Sequence, residues 1–284
     1  MILVTGAGGA VGTALLGELR AGGHPVRAAY HSPAKTAEAS ANGIDAVTVD
    51  ASDPATLAPA LAGVDTVFLL GAMGSDQTTR ERNVVETAKA NGVERVVKLS
   101  VWRADEELTP IARLHRPVER ALESSGLAWT FLRPNFYMQN FSRQFAASIR
   151  SNRAFAQPAS RAPISFVDVR DIARVAARVL TSAGHDGVVY DITGPQALTY
   201  DEAAATLTEV LAEPVRFVEL TDEQARAAML QRGLPEFYAD ALIEVSRAYR
   251  DGGAETVTTT VRTLTDRDPV TFERFVRDHR ASFA

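Results

Sequence analysis

MILVTGAGGAVG, residues 1–12, is a short apolar run that breaks into a glycine-rich turn and then opens an amphipathic helix. Gly6, Gly9 and Gly12 stand in a G-x-x-G-x-x-G spacing between the predicted strand and the predicted helix. Each glycine meets a need that a side chain would obstruct: a tight turn after the strand, close approach of backbone N–H groups to a pyrophosphate, and close packing of helix on strand. Ala10 and Val11 begin the helix, whose N-terminus adds about half a positive charge toward the phosphates. Strand, turn and helix together predict a bound dinucleotide. A glycine-rich turn that holds no ligand is the alternative.

The rest of the chain reads as support for that turn. Apolar, β-prone runs recur at 2–5, 26–30, 46–50, 66–70, 95–100, 129–133 and 188–192. Helical periodicity separates most of them, at 10–21, 54–62, 76–91 and 167–180. Continuous apolar strands alternating with helices predict an α/β fold, a Rossmann-type doubly wound parallel sheet with both faces covered. The rhythm is lost in PNFYMQNFSRQFAASIRSNRAFAQPASRAPISF (134–166), and from Thr199 the pattern is mostly helical, at 199–212, 222–232, 236–250 and 269–283. The expected organisation is a dinucleotide-binding domain over 1–134, completed by 164–194, with a smaller, mostly helical lobe from 135–163 and 195–284 that grips the substrate.

The end of the second strand selects the dinucleotide. NAD-preferring sites carry an Asp or Glu about 20 residues past the glycines, to hold the ribose 2′-hydroxyl. This chain has Ala29-Tyr30-His31-Ser32-Pro33 there, with no acid, followed by Lys35. An acid would repel a 2′-phosphate whereas Ser32 and Lys35 can bind one, so NADP(H) is expected in preference to NAD(H). His31 is a further candidate there, or simply an exposed residue. Ligands sit outside the carboxyl ends of the strands, which sets Asp50 and Ala51 to meet the adenine. The same rule puts Leu70 and Gly71 beside the adenosine ribose and pyrophosphate.

Composition removes other classes of function. A net charge of -5 and an isoelectric point near 5.6, without a basic block, argue against nucleic acid as a partner. With no cysteine, thiolate catalysis and thiolate metal sites are excluded. The five histidines, His24, His31, His115, His185 and His279, lack the spacing of a helical zinc site, so no metal is expected. No apolar run approaches the roughly 18 residues of a membrane span, and the start resembles no secretory signal. A cytoplasmic protein acting on a small molecule is expected, with monomer and homodimer both open.

Four further segments carry a resemblance. TGAGGAVG, NVVETAKANGVERVVKLS, LESSGLAWTFLRPNFYMQN and ISFVDVRDIARVAARVL resemble the NmrA-like group of atypical short-chain dehydrogenase/reductases, and the later AGHDGVVYDITGP resembles its NADPH:quinone oxidoreductase branch. The resemblance covers essentially the whole chain. The group mixes reductases with regulators that bind the dinucleotide and do no chemistry, so it implies the fold more firmly than the activity. Relatives with full catalytic machinery carry a Tyr-x-x-x-Lys pair on the helix after the fifth strand, with Ser or Thr at the strand end. Here Ser100 can fill the strand-end role, but the helix reads His115-Arg116-Pro117-Val118-Glu119. His115 is the candidate proton donor by resemblance, its imidazole titrating near about 6.5 when unperturbed. The alternative is that it packs or hydrogen-bonds beside the nicotinamide.

The missing pair limits the chemistry. An ordinary ketone becomes an alkoxide and needs a positioned acid, whereas a quinone becomes a phenolate-like anion with a conjugate acid near about 10. The expectation is therefore an NADPH-dependent reductase of quinones or related conjugated or polycyclic carbonyls. A catalytically silent NADP(H)-sensing regulator and a tailoring ketoreductase or epimerase are the rivals. Asn135 and Phe136, after the sixth strand, are expected to border the nicotinamide. Trp102, Tyr137, Met138, Phe141, Phe237 and Tyr238 are the candidates for a flat apolar slot, with lobe core as the plain alternative for each. Asp168 and Asp171 read as helix-start residues, and His185 as a turn residue.

Overall fold

Leu3, Val4, Val67, Phe68, Val96, Val97, Phe131 and Leu132 are all withdrawn from solvent, as consecutive strand residues are only when both faces of a sheet are covered. The computed structural model describes residues 1–158 and 162–284. Its strands are β1 (Ile2–Val4), β2 (Val26–Tyr30), β3 (Asp45–Thr48), β4 (Thr66–Leu69), β5 (Arg95–Leu99), β6 (Ala128–Pro134), β7 (Ala154–Gln157), β8 (Val188–Ile192) and β9 (Arg216–Glu219). The helices are α1 (Ala10–Ala21), α2 (Pro33–Ala41), α3 (Pro54–Leu61), α4 (Gln77–Ala90), α5 (Pro110–Glu123), α6 (Ala146–Asn152) and α7 (Val169–Thr181). They continue with α8 (Tyr200–Leu211), α9 (Asp222–Gln231), α10 (Glu236–Arg250), α11 (Thr260–Thr265), α12 (Phe272–Asp278) and α13 (Arg280–Phe283).

The chain divides into two compact units. The first comprises Met1–Glu107, Ala112–Arg133 and Ile172–Asp191; the second comprises Leu108–Ile111, Pro134–Asp171 and Ile192–Ala284. A seven-stranded sheet in the order β3-β2-β1-β4-β5-β6-β8 organises the first unit. Its pairs from β3 through β6 are parallel, with Ile2 opposite both Val26 and Thr66. The chain steps outward from β1 to β3 and then returns to β4 on the other side of β1, so β1 and β4 flank the switch point where α/β sheets bind ligands. Leu57 and Leu61 of α3, Val84 and Val85 of α4, and Val118 and Leu122 of α5 pack with Leu3, Val67, Val96 and Phe131 in one apolar cluster. Elsewhere in this unit Glu18 of α1 pairs with Arg174 of α7 at 3.6 Å.

The second unit has its own core. Phe141 and Phe155 meet at 5.5 Å between ring centroids, and Phe141 and Phe272 at 4.7 Å. Tyr200 stacks on Phe217 at 5.3 Å. β7 and β9 form a two-stranded parallel sheet with Phe155 opposite Phe217. The chain from Thr199 is mostly helical, as expected, and β7 and β9 are the strands the sequence reading does not place in this unit. Four-residue strands paired across a long separation leave too little alternation to be read locally. α2 is not legible from periodicity, because only Ala39 on it is buried and it lacks an apolar stripe. The helix expected over 269–283 is broken in two, with Thr271 capping α12 and His279 standing between α12 and α13.

Candidate active site

The β1–α1 turn is built by the residues it lacks. Gly6 has φ +62, and a Cβ there would stand 2.7 Å from the Leu70 carbonyl oxygen. A Cβ on Gly12 would stand 2.2 Å from the Gly6 oxygen, so α1 packs on the turn only because position 12 is glycine. Thr5 ties the turn to β4, accepting from the Leu70 N–H at 2.8 Å. Gly9 is the N-cap of α1 and offers no side-chain cap, which leaves the first N–H groups of the helix, at Ala10 and Val11, for an anion.

The glycines also test whether a dinucleotide fits. Gly8 is the open point of the turn: a Cβ there would meet nothing closer than the Tyr30 ring at 3.5 Å and Lys35 Cδ and Nζ, each at 3.6 Å. The Lys35 ammonium therefore lies over a glycine cradle beside an uncapped helix start, a donor set suited to phosphate groups. His31 is exposed. Ser32 is the N-cap of α2, its hydroxyl oxygen accepting from the Lys35 N–H at 3.5 Å. Asp50 lies just past β3, where its carboxylate accepts from the Ser52 hydroxyl at 2.6 Å and the Ser52 N–H at 2.9 Å. Those bonds, with the charges of His31 and Arg80, hold it below the usual carboxylate range. The Ala51 carbonyl accepts from Asn83 of α4 at 3.0 Å.

On the other side of the switch point the polar groups are buried. β5 alternates, so Lys98 and Ser100 share a face, while His115 and Glu119 are four apart on α5 and share another. The two pairs make a ladder between strand and helix. On one rung, the Lys98 ammonium lies 3.1 Å from His115 Nδ1. On the other, the Ser100 hydroxyl donates to Glu119 Oε1 at 2.6 Å. Glu81 of α4 ion-pairs with Lys98, and its other oxygen accepts from the Gly71 N–H at 3.0 Å. Gln77 lies 3.1 Å from His115 Nε2. Glu119 further accepts from Arg133 Nε at 3.0 Å and Nη2 at 2.8 Å, and from Arg116 at 3.1 Å.

These surroundings set the protonation states. Burial first, and then the Lys98 charge, hold the His115 imidazole well below its ordinary value. Burial alone would raise the Glu119 carboxyl, but the bonds from Arg133, Ser100 and Arg116 outweigh it and bring it below the usual range. His115 is thus neutral near pH 7 and Glu119 ionised. The structure places Ser100 and His115 on separate rungs, each directed into the protein, where the sequence reading had grouped them as catalytic candidates. Lys98, Glu81 and Gln77 were not singled out from sequence. The available signal was a lysine inside the apolar strand RVVKL (95–99).

In the second unit Asn135 is a structural clip. It is buried, donating to Ser165 Oγ and to the Ala254 carbonyl, both at 2.9 Å, and accepting from the Phe136 N–H. Phe136 is half-buried and packs edge-on against Phe166 at 5.5 Å. Met138 and Phe141 are 1% and 0% exposed, so they belong to the core of this unit, and the expected slot loses them. Burial pushes the Tyr137 hydroxyl well above its usual value. Phe237 and Tyr238 meet edge to face on α10 at 5.6 Å. Trp102 lies in the first unit, with the Arg103 guanidinium 5.2 Å from its ring. Asp168 pairs with Arg170, and Asp171 accepts from the Val270 N–H. His185 bridges Ser182 and Tyr190. Among the described residues no group of His, Cys, Asp and Glu gathers to hold a metal, and no helix is long and apolar enough to cross a membrane.

Comparison with known proteins matches the NmrA-like family model over residues 1–276. The chain is 36% identical over 284 residues to an NAD(P)H azoreductase of Xenophilus azovorans, covering 100% of this chain and 99% of that protein. It is 38% identical over 287 residues to a (4-alkanoyl-5-oxo-2,5-dihydrofuran-3-yl)methyl phosphate reductase of Streptomyces griseus, again over 100% and 99% of the two chains. Among solved structures, the NADPH-dependent quinone oxidoreductase of Escherichia coli complexed with NADPH superposes with a TM-score of 0.89 at 30% identity, over 99% and 100% of the two chains.

Proposed function

Since this chain belongs to the NmrA-like family, we propose that it is an NADPH-dependent oxidoreductase that passes hydride to a quinone or a related conjugated acceptor. The N–H groups that open α1 hold the pyrophosphate over Gly6, Gly9 and Gly12, and Lys35 meets the 2′-phosphate with His31 and Ser32 at its border. Asp50 and Ala51 flank the adenine, and Leu70 and Gly71 its ribose. When bound, the nicotinamide supplies the hydride and the protein supplies position and electrostatics.

The observation that carries the acceptor class is the inward direction of both rungs of the β5–α5 ladder. Ser100 gives its proton to Glu119, and His115 is neutral between Lys98 and Gln77. A ketone reduced to an alkoxide needs a positioned acid. A quinone accepts hydride to give an anion whose conjugate acid is near about 10, and water protonates it without help. The azo group in the name of one relative is likewise a conjugated hydride acceptor. In the second unit Tyr137, Phe237 and Tyr238 keep accessible surface and are the residues there available to grip a ring, as Trp102 is in the first unit, orientation then supplying much of the rate.

Inward rungs also suit a protein that binds NADP(H) and performs no chemistry, so the test must separate binding from turnover. Purified protein is mixed with NADPH or NADH and a panel of benzoquinones, naphthoquinones, polycyclic quinones and an azo dye, following loss of the reduced cofactor. Turnover is expected, with NADPH preferred. Calorimetric binding of NADPH without turnover on any member of the panel would remove the reductase reading and leave nucleotide sensing.

A further inference from the structure

His115 is 8% exposed, Gln77 and Glu81 are 1% exposed, and Lys98 is fully buried, so the hydrogen bonds among them are not shared with bulk water. We infer that Lys98 is a positioning residue: its ammonium, anchored by Glu81, fixes His115 as a neutral imidazole with its one proton on Nε2, a hydrogen-bond donor and not an acid or base of the reaction. An ammonium carries three donors and no acceptor. Two of the Lys98 donors are directed to Glu81 Oε2 and to the Leu99 carbonyl at 3.2 Å. The third faces His115 Nδ1 at 3.1 Å, and Nδ1 can answer it only with a lone pair.

The proton of the neutral ring is then on Nε2 and needs an acceptor, and the group 3.1 Å away is the Gln77 amide. Gln77 Oε1 is buried without a hydrogen-bond partner. The two ends of an amide are alike in shape. Half a turn of the Gln77 amide brings its oxygen onto the His115 N–H, at the cost of the 3.2 Å bond to Glu81, whose Oε1 then faces that oxygen, and with the amide nitrogen at the unpartnered position. Glu81 keeps its bonds from Lys98 and from the Gly71 N–H.

The charged groups that face His115 are Lys98 from β5 and, behind it, Glu81 from α4. A second proton on the ring would set an imidazolium against the ammonium in a buried site, which is why the neutral form is held. The reaction's proton comes from outside this cluster. The inference stands on the cluster alone and holds whichever acceptor takes the hydride.

Imidazole nitrogen NMR of the full-length protein tests it directly, with His115→Gln identifying the resonance. Between about pH 8 and about pH 5, a range in which a free imidazole titrates near about 6.5, His115 of the wild type is expected to stay neutral with the proton on Nε2. A proton on Nδ1, or titration near the free value, would overturn the inference on the wild type alone. Lys98→Met combined with Glu81→Gln removes both charges, so neither is left buried unpaired. In that variant the His115 midpoint is expected to rise by about one pH unit, and Lys98→Arg, which restores a cationic donor, is expected to lower it again. An unchanged midpoint in the double variant would also overturn it.

Discussion

The β1–α1 turn and the β5–α5 ladder lie at the carboxyl ends of strands in one sheet, yet they are made from opposite materials. The turn works through missing side chains: Gly6 and Gly12 let backbone come within distances that a Cβ would forbid. The ladder works through charged side chains withdrawn from water, Lys98 with Glu81 and Glu119 with Arg133. Backbone N–H groups are fixed in direction and suit an anion that must be bound in many protonation conditions. Buried charges hold one another's protons in place. We propose that the first material makes the binding site and the second a wall that keeps its protons from the substrate.

Breaking the ladder should cost the most. Glu119 is fully buried and accepts from Ser100, Arg116 and twice from Arg133. Glu119→Ala leaves the Arg133 guanidinium, whose side chain is 9% exposed, without its main partner. Removing one member of a buried ion pair costs about 3–5 kcal/mol. Urea unfolding of the variant is expected to show that loss, and a change below about 1 kcal/mol, the worth of one ordinary hydrogen bond, would mean the network is not a unit.

Breaking the turn should cost somewhat less, by an amount that depends on which glycine is filled. A Cβ at position 12 meets the Gly6 oxygen at 2.2 Å and the Ala7 Cα at 2.8 Å, both backbone atoms that cannot swing aside. Gly12→Ala is therefore expected to destabilise by about 3 kcal/mol, the upper part of the usual overpacking range, and to weaken NADPH binding with it. At position 8 a Cβ has nothing nearer than 3.5 Å, so Gly8→Ala should change stability by no more than about 0.5 kcal/mol. Thermal unfolding of the two variants side by side checks the contrast, and equal losses would mean the turn is merely intolerant of any side chain.

The same difference in materials decides what could be read from sequence. The turn was legible because Gly6, Gly9 and Gly12 are neighbours in the chain and their spacing carries the geometry. The parallel order of the sheet followed from strands and helices that alternate locally. The ladder was not legible, since Lys98, Glu81 and His115 come from β5, α4 and α5 and nothing in any one segment announces the other two. Ser100, His115 and Glu119 stand out in the sequence, but not that Glu119 pairs with Ser100 nor that Lys98 faces His115, and without those pairings the direction of their protons is unreadable. Phe141 and Met138 were misplaced for a related reason: an aromatic run looks the same whether its partners are a ligand or, as here, the rings of Phe145, Phe155 and Phe272.

The last expected effect sharpens the comparison most, because it concerns a charged side chain that lies over the turn. Lys35 is exposed, and its Nζ lies 3.6 Å from where a Cβ on Gly8 would stand. No acid ends β2 to compete for it. If the cradle binds pyrophosphate through backbone and Lys35 binds the 2′-phosphate, then Lys35→Ala should leave NADH almost untouched while raising the KM for NADPH about tenfold, or about 1.4 kcal/mol. Added salt should shrink that difference, since an exposed charge pair is screened. Steady-state kinetics with both cofactors checks it. An equal rise for NADH would place Lys35 on the shared pyrophosphate, and the turn would then depend on a side chain after all.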